Sequence, residues 1–274
     1  MKPAVALLAY LSGMLSLLAS DTTIDVGGTQ LTIPAPDGFA PVTPEMAKLI
    51  SQLDSFVTPV SQRFLWFLDE RELQTAKTGG FPGLTRLFSV QCARKDIPTF
   101  FTIRDFAKLK KLVREQNAEL IKKLERRMPG YLENVNKGIQ KEFDWEGTLG
   151  VNGYIPVAGQ QETERSLLYP MLVKYSVRGP DGQQTSGTSA VTATFLHVKG
   201  KLIFFHCHSQ ENDLLWARTV SKAWASAIVA ARESIGSGRS YDWKAVPPFV
   251  IVVGVIAVAW SIARLAKRFQ RSRT

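Results

Sequence analysis

The chain has only two cysteines, Cys92 and Cys207, and only three histidines, His197, His206 and His208. Two cysteines allow at most one disulfide, so no multi-bridge scaffold underlies the fold. H-E-x-x-H, G-x-S-x-G, G-x-x-x-x-G-K-[ST] and G-x-G-x-x-G are all absent. Metalloprotease, α/β-hydrolase, P-loop and dinucleotide-binding readings therefore have no motif behind them. A Ser-His-Asp triad dispersed along the chain leaves no local trace, and serine is too common here for a chance match to count. There is no internal repeat. Acidic residues are also missing from both ends: 1–20 and 264–274 contain none.

The formal charge of +10 suggests nucleic acid until the charge is located. Arg264, Lys267, Arg268, Arg271 and Arg273 crowd the last eleven residues, and Lys2 is the sole base in 1–20. Without those six, 28 basic face 24 acidic residues. Half of the excess thus belongs to a short tail, as in membrane topology, and nucleic acid is not an expected partner. Residues 245–263 form 19 uncharged residues between Lys244 and Arg264, about the length needed to cross a hydrocarbon core of ~30 Å. Pro247 and Pro248 suit the first turn of a helix. Trp243 and Trp260 stand where indoles favour head groups.

A basic segment beyond such a helix stays in the cytoplasm. Residues 1–20, with Lys2 before an apolar run, read as a secretory signal or an uncleaved anchor. The expected organisation is an extracytoplasmic domain over 21–235, a flexible tether over 236–245, a membrane helix over 246–263 and a cytoplasmic tail over 264–274. The location is a plasma (inner) membrane crossed once, with the domain in the periplasm if the cell is bacterial. About ten flexible tether residues span ~17 Å, which keeps the domain beside the bilayer.

Within the domain, 22–26 and 29–34 flank Gly27-Gly28 as a hairpin. Thr43 and Pro44 open a helix reaching about Phe56. Strands are expected at 63–68 and 87–92, then an amphipathic helix over 102–128 carrying Phe106, Leu109, Val113, Leu120 and Leu124. Pro129-Gly130 should end it, with a weaker helix over 131–143. Strands over 167–177 and 188–198 turn at 178–182, and Lys199-Gly200 leads into a strand over 202–209. A final helix over 212–234 carries Trp216, Val220, Ala223, Trp224, Ala227, Ile228 and Ala231. Strands in hairpins with helices between them make an α+β fold, an antiparallel β-sheet with packed helices.

Three stretches resemble the PsbP-like superfamily, which includes the extrinsic photosystem protein, the Mog-type Ran-binding proteins and exported bacterial lipoproteins. LTIPAPDGF (31–39) is similar to its opening strand and turn. FLHVKGKLIFFHCHS (195–209) with LLWARTVSKAWASAIVAA (214–231) is similar to its closing hairpin and helix. RLFSVQCARKDIPTFFTIRDFAKLKKLV (86–113) has its strand-loop-helix rhythm. The resemblance implies a binding or assembly scaffold with no shared catalytic site and no residues to carry over.

Candidate chemistry is sparse. His206 and His208 share a strand face, a pair able to contribute to zinc or copper. A metal-dependent enzyme or metal carrier is thus the alternative to a binding module. The Lys199-Gly200 turn sets His197 opposite Leu202, too far along the sheet to join them, and Cys207 faces the other way. Cys92 and Cys207 are either a disulfide or two buried thiols. Asp69-Glu70 and Glu162/Glu164 read as solvated carboxylates. On the 102–128 helix, Lys108, Lys111, Arg114, Lys122 and Arg126 are the candidate surface for anionic lipid or an acidic protein partner.

Overall fold

The computed structural model describes residues 21–78, 82–115, 117–143 and 146–231. The expected leader, tether, membrane helix and tail lie outside the described residues. Among the described residues no helix is long and apolar enough to cross a membrane.

Gly27 and Gly28, at φ 58° and 79°, close the first hairpin between β1 (Thr22–Val26) and β2 (Thr29–Ile33). A two-residue turn with both φ positive matches the twist of such strands. β3 (Phe39–Pro41) follows. The helix expected from Thr43 is split into a 3-10 turn at Pro44–Met46 and α1 (Ala47–Asp54). Thr43 caps no backbone N–H; its hydroxyl donates to the Glu45 carboxylate at 2.6 Å instead. β4 (Ser61–Asp69) runs directly into α2 (Glu70–Lys77), a helix absent from the sequence reading. Asp69 is therefore no solvated loop residue. Its carboxylate accepts from the Arg71 backbone N–H and guanidinium, and those bonds hold its pKa below the ordinary value.

After β5 (Leu87–Ala93), a reciprocal cap starts α3 (Ile103–Glu115). Thr102 Oγ1 accepts from the Asp105 N–H at 3.1 Å, while Asp105 Oδ2 accepts from the Thr102 N–H at 3.1 Å, the reciprocal pattern of a capping box. Phe106, Leu109 and Val113 face the core as their spacing predicts; the side chains of Leu120 and Leu124 lie outside the description.

The expected stop at Pro129-Gly130 is overturned. α4 (Asn117–Phe143) is one helix with Pro129 inside it. A proline here removes one hydrogen bond and costs roughly 3 kcal/mol, so tertiary packing must hold the helix together. Met128, Val135 and Ile139 bury themselves against the sheet side, and Asn136 brackets Leu149, donating to its carbonyl at 3.1 Å and accepting from its N–H at 2.8 Å.

β6 (Thr148–Pro156) and β7 (Gln161–Glu162) precede the long strands β8 (Ser166–Arg178), β9 (Gln184–Val198) and β10 (Lys201–Gln210). Lys199 and Gly200, at φ 47° and 74°, form the β9–β10 turn. α5 (Leu214–Ala230) closes the described chain. Its buried stripe is Ala217, Ser221, Trp224, Ala225 and Ile228; Ala223 and Ala227 are exposed, so the helix is rotated from the expected face.

The main sheet is antiparallel throughout, in the order β3-β4-β5-β10-β9-β8-β6, with β7 on the edge of β8. One face packs against α1 to α4 and the other against α5 and the β1–β2 hairpin. Trp224 anchors that second face. It sits 4.4 Å from Phe205 and 5.0 Å from Phe88 between ring centres, and its indole donates to the Pro34 carbonyl at 2.7 Å. Lys201, buried at the start of β10, donates to the carbonyls of Ile97 (2.8 Å), Thr99 (3.3 Å) and Gly27 (3.4 Å), tying the hairpin tip to the sheet.

Candidate functional site

β10 is the central strand, and Lys201 to Ser209 along it are all buried. Strand alternation puts Leu202, Phe204, His206 and His208 on the face under the helices, with Ile203, Phe205 and Cys207 under α5. His206 lies between Ser89 on β5 and Ala193 on β9; His208 lies between Leu87 and Val191. Two small neighbours leave the His206 ring room.

A polar cluster results inside an apolar layer. Gln91 Nε2 donates to Ser89 Oγ at 3.0 Å, and His206 Nδ1 stands 3.4 Å from that oxygen and 3.5 Å from Gln91 Nε2. The rings of His206 and His208 are 5.8 Å apart. Gln91 Oε1, His206 Nε2 and both nitrogens of His208 are buried without a hydrogen-bond partner. Each such group costs about 1–3 kcal/mol relative to a satisfied one. Burial lowers the pKa of His206 to about 3 and that of His208 well below the ordinary value, with neighbouring His206 adding to the latter. Both rings are neutral at physiological pH, the form in which imidazole ligates metals.

His197 is the contrasting case. It pairs with Leu202 at the hairpin end, as its spacing predicts. Its Nε2 donates to the Phe101 carbonyl at 2.7 Å, and its Nδ1 accepts from Arg165 at 3.2 Å. Desolvation lowers its pKa, and its role is to pin the entry of α3 onto the sheet. Among the described residues, no group of three or more His, Cys, Asp or Glu side chains converges as a metal site.

The cysteines are both buried and free. Cys207 pairs with Phe88, four residues along β5 from Cys92, a separation of roughly 13 Å at strand rise against the ~7 Å limit for a disulfide. The bridging alternative is thereby excluded, and the two thiols also leave the histidine face unassisted.

The basic candidates are exposed, but where the spacing predicts one helix over 102–128 they divide between two, Lys108, Lys111 and Arg114 on α3 and Lys122 and Arg126 on α4. Lys108 pairs with Asp105, Lys111 with Glu115, Arg114 with Glu162 and Arg126 with Glu119. Glu162 thus belongs to edge strand β7. Lys122, with Glu119, Glu125 and Arg126, borders an open depression on α4. α3 carries Arg104, Lys108, Lys110, Lys111 and Arg114 against Asp105 and Glu115, and Asp105 is buried in the cap.

Compared with known proteins, the chain matches no family model, no curated protein and no solved structure. Ser89 and Gln91 escaped the sequence reading. Polar residues at alternate positions of FSVQCA signal a solvent face, and only the helical layer turns that face inward.

Proposed function

We propose that this protein is a membrane-tethered, extracytoplasmic binding module, held by a single helix over 246–263, whose α3 face rests against anionic head groups of its own membrane. The observation that carries the reading is the basic character of α3, with five bases and two acids in thirteen residues; four of the bases are exposed, Lys110 is half-buried and donates to the Thr163 carbonyl, and one acid is withdrawn into the core. Each base near a charged leaflet contributes about 1 kcal/mol. Local ion pairs reduce that figure, since Lys108, Lys111 and Arg114 each have a carboxylate within 4 Å.

The short tether supports the same reading by keeping the domain within reach of the bilayer. So does the PsbP-like resemblance of segments that include the closing β9–β10 hairpin and α5, because it implies a scaffold without a shared catalytic site.

The test is hydrogen exchange on the full chain in nanodiscs of neutral or anionic lipid. Amides of α3 should exchange more slowly in the anionic discs, and substituting Arg104, Lys108 and Lys111 with Gln should abolish the difference. Equal exchange in both discs would refute the lipid contact. Protection appearing only when a co-purified acidic protein is added would move the reading to a protein partner.

A further inference from the structure

We propose that His206, His208 and Gln91 form an internal site for one d10 metal ion, Cu(I) in preference to Zn(II), coordinated by one nitrogen of each imidazole and by the amide oxygen. The case begins with what is unpartnered. Among the side-chain atoms buried here without a hydrogen bond are three imidazole nitrogens and one amide oxygen, all on the helix-covered face of two adjacent central strands. His197, on the same face, has both nitrogens satisfied. Four such atoms gather in this one cluster, and a guest accepting lone pairs would engage His206 Nε2, Gln91 Oε1 and one nitrogen of His208, whose other nitrogen keeps its N–H.

The spacing suits one ion. A metal about 2.0–2.1 Å from a nitrogen of each ring stands roughly 3.2 Å from each ring centre. At the observed 5.8 Å the nitrogen–metal–nitrogen angle is then about 130°, near trigonal, which leaves a third position for Gln91 Oε1. A hydroxyl able to orient the His206 ring is also in place. Ser89 Oγ lies 3.4 Å from His206 Nδ1 and accepts from Gln91 Nε2. Accepting from Nδ1–H as well, it would fix the tautomer that presents the Nε2 lone pair outward, the usual way a ligating histidine is oriented.

Charge selects among ions. The proposed ligands are all neutral, and no third His, Cys, Asp or Glu joins the pair among the described residues. Ion desolvation rises with the square of the charge, so a buried divalent ion without an anionic ligand is the costlier guest. Zinc also favours four ligands, whereas three neutral donors suffice for the singly charged ion; imidazole suits both metals, and the amide oxygen is the weak third ligand. His206 and His208 are 0% and 1% exposed. Loading and release must then await opening of the helical layer, so a bound ion should survive purification.

The experiment uses the full chain, purified in detergent from cells supplied with copper or with zinc, followed by metal analysis and competition with a Cu(I) chelator. One copper per chain is expected, with zinc bound more weakly. The His206→Leu/His208→Leu variant should weaken Cu(I) binding at least 100-fold, Gln91→Leu about tenfold, and His197→Gln should leave it unchanged. If the double variant fails to fold, X-ray absorption of the wild-type copper form still decides, since the proposal requires two imidazole nitrogens and no sulfur around the metal. Wild-type protein holding neither ion, with water alone in the cluster, would overturn it, as would sulfur ligation or full retention by the folded double variant.

Discussion

His206 and Ser89 face each other across β10 and β5, with 3.4 Å between the imidazole Nδ1 and the hydroxyl oxygen, although 117 positions separate them in the chain. Around that contact the sheet buries two neutral imidazoles that the unfolded chain would expose and protonate below about pH 6.5.

This gives the metal-free protein an acid-labile core. The pKa of each ring is lowered on folding, so its contribution to stability is complete above the unfolded value near 6.5. It falls as the pH drops toward the folded value, by about 1.4 kcal/mol per pH unit for each ring. Urea titrations of chelator-treated protein at pH 7.5, 6 and 5 should show this loss, and His208→Gln should flatten the slope by about one ring's share. A pH-independent midpoint over that range would contradict complete burial.

Lys201 should prove essential to the β1–β2 hairpin. Lys201→Met leaves three carbonyls without their donor, and we expect a destabilisation of about 2–3 kcal/mol. Hydrogen exchange should locate the loosening at residues 22–33. Gly27→Ala should act at the same place, since Gly27 has φ 58° and an added Cβ would overlap the Ile97 carbonyl.

The thiols should be silent in the folded protein. Burial raises the pKa of Cys92 to about 12 and that of Cys207 further still, so neither is a thiolate at neutral pH. A maleimide should label neither cysteine natively and both in denaturant, and non-reducing gels should show no intramolecular bridge. Native labelling of Cys207 would mean that α5 lifts from the sheet.

Trp224 carries the packing of α5. Trp224→Ala should cost about 3–5 kcal/mol, through lost contact with Phe67, Phe88 and Phe205 and a Pro34 carbonyl left without its donor. Thr102→Ala, which removes one arm of the α3 cap, should cost about 1 kcal/mol.

What the sequence disclosed and what it hid divide by range. Gly27-Gly28 and Lys199-Gly200 dictate their own turns, and Phe106, Leu109 and Val113 mark a helix face by spacing alone, so these were legible. β6 was not, because Gly150, Asn152 and Gly153 suppress strand propensity; the edge strand accommodates them with a register shift between Val151 and Gly153. α2 buries only Leu73, which leaves no periodicity to read. The continuity of α4 through Pro129 depends on tertiary packing, which outweighs a local breaker. The histidine pair was visible on one strand, but its lack of partners follows from a helical layer contributed by distant segments.

The proposed orientation is domain outside, tail inside. Reporters fused after Thr274 and after Gly236 test it most directly, one active only in the cytoplasm and one only beyond the membrane. The five bases of the tail should hold it in the cytoplasm. The cytoplasmic reporter should then work only after Thr274, and the external one only after Gly236. External activity after Thr274, or cytoplasmic activity after Gly236, would contradict the account and remove the basis for an α3 contact with the outer leaflet surface.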